Sequence, residues 1–381
     1  MCNLELTKFR FVEMMRMTFE DVLEIKNGRN QRTVENSEGK YPIYGSGGIM
    51  GYADDYICDA QTVIVGRKGS INNPLFVEEP FWNVDTAFGL CANRDVLLPR
   101  YLYYFCKKFD FERLNKAVTI PSLTKSDLLK IEIDLPHLEE QQIVVDKLVK
   151  MEQIIELRKQ ELYSLDSLIK SRFVELFGDL NDKKWNEEQL GKLCEQLKRY
   201  PTFCNMEYLE NGVRVIRIGN ILLDGHMDEI DDNYVFVYDE VNEDFPDTVI
   251  EMNDIVMAVR GDGSAAKRIG IVREEKLIGS NISPNLIRIK ADSQKVLPVY
   301  LFYYLTSELG QKRLDAYVNK TAKKNIAAKD IAKVLVPVPD IRVQNQFISF
   351  VEQTDKLKFE VQKSLDEAQI LMDSLMQKYF G

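Results

Sequence analysis

The chain contains part of itself twice. Residues 126–178 align with residues 329–381 at a constant offset of 203, without a gap. The shared positions include Asp127/Asp330, Lys130/Lys333, Pro136/Pro339, Gln141/Gln344, Leu162/Leu365, Phe177/Phe380 and Gly178/Gly381. A second echo precedes each copy: residues 98–104 read LPRYLYY and residues 297–303 read LPVYLFY. A fold that satisfies one half of such a chain must be built again by the other.

Each copy ends in a long run without Pro or Gly, and that run carries a heptad. In the first, Val144, Met151, Arg158, Leu165 and Arg172 share one seam position, and Leu148, Ile155, Leu162, Ile169 and Leu176 the other. In the second, Phe347, Thr354, Val361, Ala368 and Leu375 alternate with Val351, Lys358, Leu365, Met372 and Tyr379. Sustained heptads predict coiled-coil helices, each about 58 Å long for 39 residues. A lone helix of this kind would leave its stripe in water. The two stripes therefore predict an antiparallel intramolecular pair whose core includes Leu148, Ile155, Leu162, Ile169, Val351, Val361, Leu365 and Met372. The alternative is that each helix packs on its own globular domain.

The segments before the helices read as short strands and turns. Thr62–Val65 and Pro74–Val77 are β-type runs in the first, and Val213–Ile218, Tyr234–Val237, Asp254–Val259 and Ile269–Val272 in the second. Pro136 and Pro339 end the last strand just before each helix. The expected architecture is α+β, with an internal pseudo-two-fold repeat. Residues 1–138 and 179–341 form two mixed domains, and residues 139–178 and 342–381 form the helix pair.

Self-sufficient chemistry is hard to find. His137 and His226 lie in no metal-binding spacing, and His137 reads as an exposed residue at a helix entry. There is no phosphate-binding G-x-x-x-x-G-K-[ST] loop, and the run Gly45–Gly51 misses the dinucleotide fingerprint at Met50. Asn73-Pro74-Leu75 and Ser283-Pro284-Asn285 each lack the second proline and the aromatic of an amino-methyltransferase loop. No window reaches the ~18 apolar residues of a membrane span, and residues 1–11 carry Glu5, Lys8 and Arg10 in place of a secretion signal core. Six cysteines without a C-x-x-C pair read as reduced cytoplasmic thiols.

The net charge of −10 excludes a uniformly basic nucleic-acid coat. The acid is concentrated, however: Asp224–Glu251 holds eleven carboxylates and no Lys or Arg. Basic and amide side chains collect instead in Gly-rich turns. In the first domain these are Arg29, Asn30, Gln31 and Arg32, with Tyr44 and Ser46 nearby, and Arg67, Lys68, Ser70 and Asn72. In the second they are Tyr200, Arg260, Ser264, Lys267 and Arg268, and Lys320, Lys323, Lys324 and Asn325. Arg forks onto guanine, Asn and Gln onto adenine, and Lys or Ser positions phosphate. Solvated β-turns have the same composition, so these residues alone leave DNA binding open.

The order domain, long helix, domain, long helix resembles the specificity subunit of type I restriction–modification systems over nearly the whole chain. The carriers are the repeat, the lead into each helix (Ile120 to Pro136, then Glu140-Gln141-Gln142-Ile143; Asn325 to Pro339, then Gln344-Asn345-Gln346), and the stretches Tyr41–Gly48 and Ile64–Ser70. The resemblance implies that each domain reads one half of a bipartite, asymmetric double-stranded DNA site. It implies a helix pair that fixes the gap and docks modification subunits, expected to be two, with restriction–translocase subunits joining them. S-adenosylmethionine, ATP and magnesium would belong to those partners, and this cytoplasmic chain would hold no cofactor and catalyse nothing. Three other readings remain: a related system with modification and cleavage fused in one partner, a fused methyltransferase or nuclease, and a coiled-coil scaffold that never touches DNA.

Overall fold

A computed structural model describes residues 14–115, 121–178, 185–201, 206–261, 268–319 and 324–381. Two compact units divide the chain within both long helices: Met1–Glu161 with Val361–Gly381, and Leu162–Glu360. Each unit thus holds one globular segment and half of each helix.

The same topology is built in both units. The first has a four-stranded antiparallel sheet in the order Leu23–Asn27, Ala87–Ala92, Thr62–Gly66, Leu75–Val77. The second repeats it as Cys194–Arg199, Leu286–Ala291, Ile255–Ala258, Ile269–Ile271. The strand Thr62–Gly66 is β-branched in its middle and buried throughout, as a central strand requires. A three-stranded sheet follows in each unit. It pairs Gly48–Ala53, Tyr41–Gly45 and Trp82–Asn83 in one and Val235–Val237, Val213–Ile216 and Asn281–Ile282 in the other, the last strand parallel each time. A third ribbon joins Met15–Thr18 to Glu132–Leu135, and Glu187–Gln189 to Leu335–Pro337. Every strand run expected from the sequence is present; Thr62–Val65 extends to Gly66, and the others are shortened by a residue or two where turns begin.

The long helices span Leu138–Phe177 and Ile341–Phe380. All heptad positions named above are buried or half-buried. In the first unit Val144, Leu148 and Ile155 share a core with Ala368, Met372 and Met376. In the second, Ile169, Phe173 and Phe177 meet Phe347 and Val351. The start of one helix thus lies beside the end of the other in each unit, which is the antiparallel pairing expected. Polar seam residues are satisfied locally. Lys358 reaches Asp166 at 2.6 Å, the Thr354 hydroxyl donates to the Phe350 carbonyl at 2.9 Å, and Arg172 stacks over Phe350. Each helix also enters the globular cores, so pairing and docking occur together.

That docking explains the repeated residues. Pro99 and Pro298 open the helices Pro99–Lys108 and Pro298–Thr306 at the position where a missing N–H costs nothing. Phe177 packs edge-on against Tyr300 at 4.8 Å, and Phe380 against Tyr101 at 4.9 Å. Gln141 and Gln344 are fully buried. The Gln141 amide accepts from Leu98 N at 2.9 Å and donates to the carbonyls of Val96 and Pro136. Gln344 repeats this with Leu297 N at 2.8 Å and the Pro339 carbonyl at 2.8 Å. Each glutamine ties a long helix to the helix that follows the sheet. Gln141→Ala orphans these buried partners, and we expect it to cost about 2 kcal/mol of unfolding free energy, read by urea titration. A loss below the error of the titration would show that water replaces the amide.

His137 is exposed immediately before the first long helix, as expected. Cys58, Cys91, Cys106 and Cys194 are free thiols; Cys2 and Cys204 lie outside the described residues. No described helix is long and apolar enough to cross a membrane.

Candidate nucleic-acid interface

In the first unit the short segment from Asn83 to Ala87 links the three-stranded sheet to the centre of the four-stranded one. Three turns attach to it through backbone bonds, and a fourth joins through the third. Arg29 N donates to the Asn83 carbonyl at 2.8 Å, and Val84 N to the Tyr44 carbonyl at 3.0 Å. Arg67 N and Lys68 N both donate to Thr86, at 2.8 and 3.3 Å. Lys68 bridges Ser122, and Leu123 N donates to the Arg67 carbonyl at 2.9 Å. Two glycines permit the approach: a Cβ on Gly28 would lie 1.7 Å from the Val84 oxygen, and one on Gly66 2.2 Å from the Ser70 oxygen.

The structure therefore brings together Arg29, Asn30, Gln31, Arg32, Tyr44, Ser46, Arg67, Lys68 and Ser70. Arg29, Asn30, Arg32, Arg67, Lys68 and Ser70 are exposed, and Gln31 and Ser46 half-buried. Arg67 lies 5.7 Å from the Phe88 ring centre. Tyr44 is a supporting residue whose half-buried ring stands edge-on to Phe81 at 5.4 Å. Asn72 is occupied elsewhere: its amide donates to Asp110 and accepts from Phe111 N, fastening the turn Phe111–Leu114.

The second unit repeats the junction at Ile282–Leu286. Ser283 N donates to the Ile216 carbonyl at 2.9 Å, Val259 N to Asn285 at 2.9 Å, and Ile326 N to Val259 at 3.0 Å. The strand Arg260–Gly261 pairs with Lys324–Asn325, placing Arg260 opposite Asn325 as Lys68 is opposite Ser122. The Ser283-Pro284-Asn285 run, unfit as a methyltransferase loop, is thus the hub of this domain.

Tyr200 and Arg268 differ here from the sequence reading, and four other residues are not described. Tyr200 is 2% exposed and packs on Phe245 at 4.7 Å. It shares a core with Ile216 and Leu286, because its ring closes the space at the end of the strand Cys194–Arg199. Arg268 turns its guanidinium to the Ile221 carbonyl at 3.2 Å and lines a separate cavity with His226 and Phe302. Ser264, Lys267, Lys320 and Lys323 lie outside the described residues.

The cations at these junctions lack the carboxylate partners that many arginines elsewhere have. Part of the acidic run is spent on structure: Asp231 pairs with Arg214 and Lys276, Asp247 with Lys198, and Glu251 with Lys290 and Arg288. Elsewhere Arg16, Arg100, Arg113, Arg158, Arg172, Arg273, Arg313 and Arg342 all meet carboxylates. Among the described residues Arg29, Arg32, Arg67 and Lys68 form no ion pair, nor do Arg199, Arg217 and Arg260. Sequence reasoning missed Arg199 and Arg217. Arg199 donates through Nε to the Pro284 carbonyl at 2.9 Å. Burial first, and the neighbouring Arg260 charge second, hold its pKa below the usual value. Arg217 donates to the Asn233 carbonyl at 3.0 Å and lines a polar cavity of about 760 Å³ with Tyr208 and Asn285. No local motif marks either arginine; both become visible only when the strands are paired. Unneutralised guanidiniums around polar turns in an acidic chain suit a polyanion read by position.

Known proteins agree. The family described as type I restriction modification DNA specificity domain matches residues 12–166 and 182–370. The specificity subunit of the type I restriction enzyme EcoBI from Escherichia coli is 25% identical over 378 residues, covering 90% of this chain and 77% of that protein. The MjaVIII specificity subunit from Methanocaldococcus jannaschii is 23% identical, with coverages of 78% and 70%. In fold, the crystal structure of a type I restriction–modification S subunit from M. genitalium aligns with a TM-score of 0.61 at 18% identity, over 99% of this chain and 98% of that one. The chain therefore belongs to the type I restriction–modification DNA specificity family, with its specificity domain present twice.

Proposed function

We propose that this chain is the non-catalytic, sequence-reading subunit of a type I restriction–modification complex acting on double-stranded DNA in the cytoplasm. Each unit reads one half of a bipartite, asymmetric site, and the helix pair fixes the gap between halves. The observation that carries this reading is the junction built twice, at Asn83–Ala87 and Ile282–Leu286, with unpaired arginines around each. Methyl transfer with S-adenosylmethionine, and ATP- and magnesium-dependent restriction, belong to the partner subunits.

A repeated surface on the helix pair supports docking of two modification subunits. Ile154 and Leu168 are exposed at 41% and 48%, and their counterparts at the offset of 203, Leu357 and Leu371, at 57% and 49%. These four positions lie outside the buried seam, and the fold leaves them uncovered. Large exposed aliphatics in equivalent places on both copies suit equivalent partners. Leu168→Lys is expected to remove one modification subunit, and with Leu371→Lys both, seen as stepwise mass loss by light scattering. Retention of two subunits by the double variant would place docking elsewhere.

The direct test is methylome sequencing of a methylation-free host expressing this chain with its modification subunit. The expected result is a split motif with methyl-adenine in each half, and a swap of residues 17–136 that changes one half only. A scaffold predicts instead that neutralising Arg67, Lys68, Arg260 and Lys324 leaves the DNA affinity of the assembly unchanged.

A further inference from the structure

The second unit has an arginine at its reading junction that no turn motif announced. Arg199 ends the strand Cys194–Arg199 and stands opposite Ile287 in the central strand. Asn27 ends the matching strand of the first unit opposite Phe88. Two residues beyond Asn27, Arg29 binds the Asn83 carbonyl through its backbone. Arg199 reaches the equivalent segment with its side chain, through Nε to Pro284. Both units thus bring an arginine to the same side of the same junction, by different atoms. On the other side stand Lys68 in one unit and Arg260 in the other, each opposite the incoming segment at Ser122 or Asn325. Between them lie Thr86 and Asn285, matched by their bonds to Arg67 N and Val259 N and both exposed. Asn285 also stands at the polar cavity that Arg217 and Tyr208 line, and its side-chain amide has no partner among the described residues.

We propose that Arg199 and Arg260 hold the DNA backbone on either side of the Ser283–Asn285 turn, and that Asn285 between them reads a base edge of the second half-site. The proposal rests on the reading given under Proposed function. The Nε–Pro284 bond uses one donor of Arg199 and fixes the fork, leaving its terminal nitrogens for a phosphodiester. An asparagine amide supplies the donor and acceptor that adenine N7 and N6 require in the major groove.

The test uses the complex with its modification subunits and a duplex carrying the motif that the wild-type complex methylates. Arg199→Ala is expected to lower affinity about tenfold for motif and unrelated duplexes alike. It should also reduce the slope of log affinity against log salt by about 1. Arg199→Lys keeps the charge and should keep the slope. Asn285→Ala should leave affinity for unrelated DNA and the salt slope unchanged, while the methylome motif relaxes at one position in one half. An unchanged slope in Arg199→Ala, or a Lys variant as weak as the Ala variant, would make Arg199 a brace for Pro284 and overturn the backbone contact. An unaltered motif in Asn285→Ala would overturn the base contact. A wild-type complex that methylates no split motif would instead overturn the reading of the chain itself.

Discussion

Asp254→Ala is expected to lower the unfolding free energy of the second unit by about 3 kcal/mol. Asp254 and Arg288 have side chains 2% exposed and meet at 2.6 Å. The same Asp254 oxygen accepts from Glu251 N at 2.7 Å. Arg288 spends its remaining donors on Glu251, Gln196 and the Asp247 carbonyl. Removing the carboxylate leaves a guanidinium in the sheet with one outer acid, and the desolvation already incurred is no longer offset. The strand that bears Arg288 begins directly after the Ser283–Asn285 turn. Recognition of the second half-site should therefore fail together with stability. Urea unfolding with an Arg288→Met, Asp254→Leu pair separates the causes. An apolar pair that recovers most of the loss identifies the stranded charge, whereas a double variant as unstable as Asp254→Ala assigns the effect to packing.

Phe177→Ala should cost about 3–5 kcal/mol. Its ring is fully buried and touches Phe173, Tyr300 and Phe347 at centroid distances of 4.8, 4.8 and 5.6 Å. The repeat supplies an internal control. Phe380 has the same place in the other copy, against Tyr101 and Phe105, but is only half-buried. Its truncation should cost about 2 kcal/mol, in proportion to the smaller area removed from water. Thermal unfolding of the two variants orders them; a larger loss from Phe380→Ala would mean that the helix end, and not ring burial, sets the cost.

Several features were legible because their physics is local. The heptad predicted which helix faces close, and Arg158, Lys358 and Thr354 did not break it, since each bonds to a neighbour along or across the pair. The shared Gln, Tyr and Phe-Gly positions announced a doubled fold before their task was visible. Gln344 keeps that task although the residues around it differ, Val343-Gln344-Asn345 in place of Glu140-Gln141-Gln142. What it retains is a buried amide bridging two helices, not the flanking charge.

The reading junctions were legible only in part. Gly-rich basic turns pointed to Arg29–Arg32 and Arg67, which converge in the first unit, and to Arg260 at the junction of the second. The same criterion chose Tyr200, which is core, and Asn72, which fastens its own domain. It passed over Arg199 and Arg217, which end or follow ordinary strands.

By itself the sequence determined that the chain is a doubled unit with two paired helices, because helical period, proline stops and repetition are written in neighbouring residues. Only the tertiary structure decided which arginines stay unpaired and which turns share one surface. Those outcomes depend on strand pairings between residues tens of positions apart, such as Tyr44 with Asn83 and Arg260 with Asn325. They depend also on where the carboxylates of Asp224–Glu251 find their partners, and a local pattern carries neither.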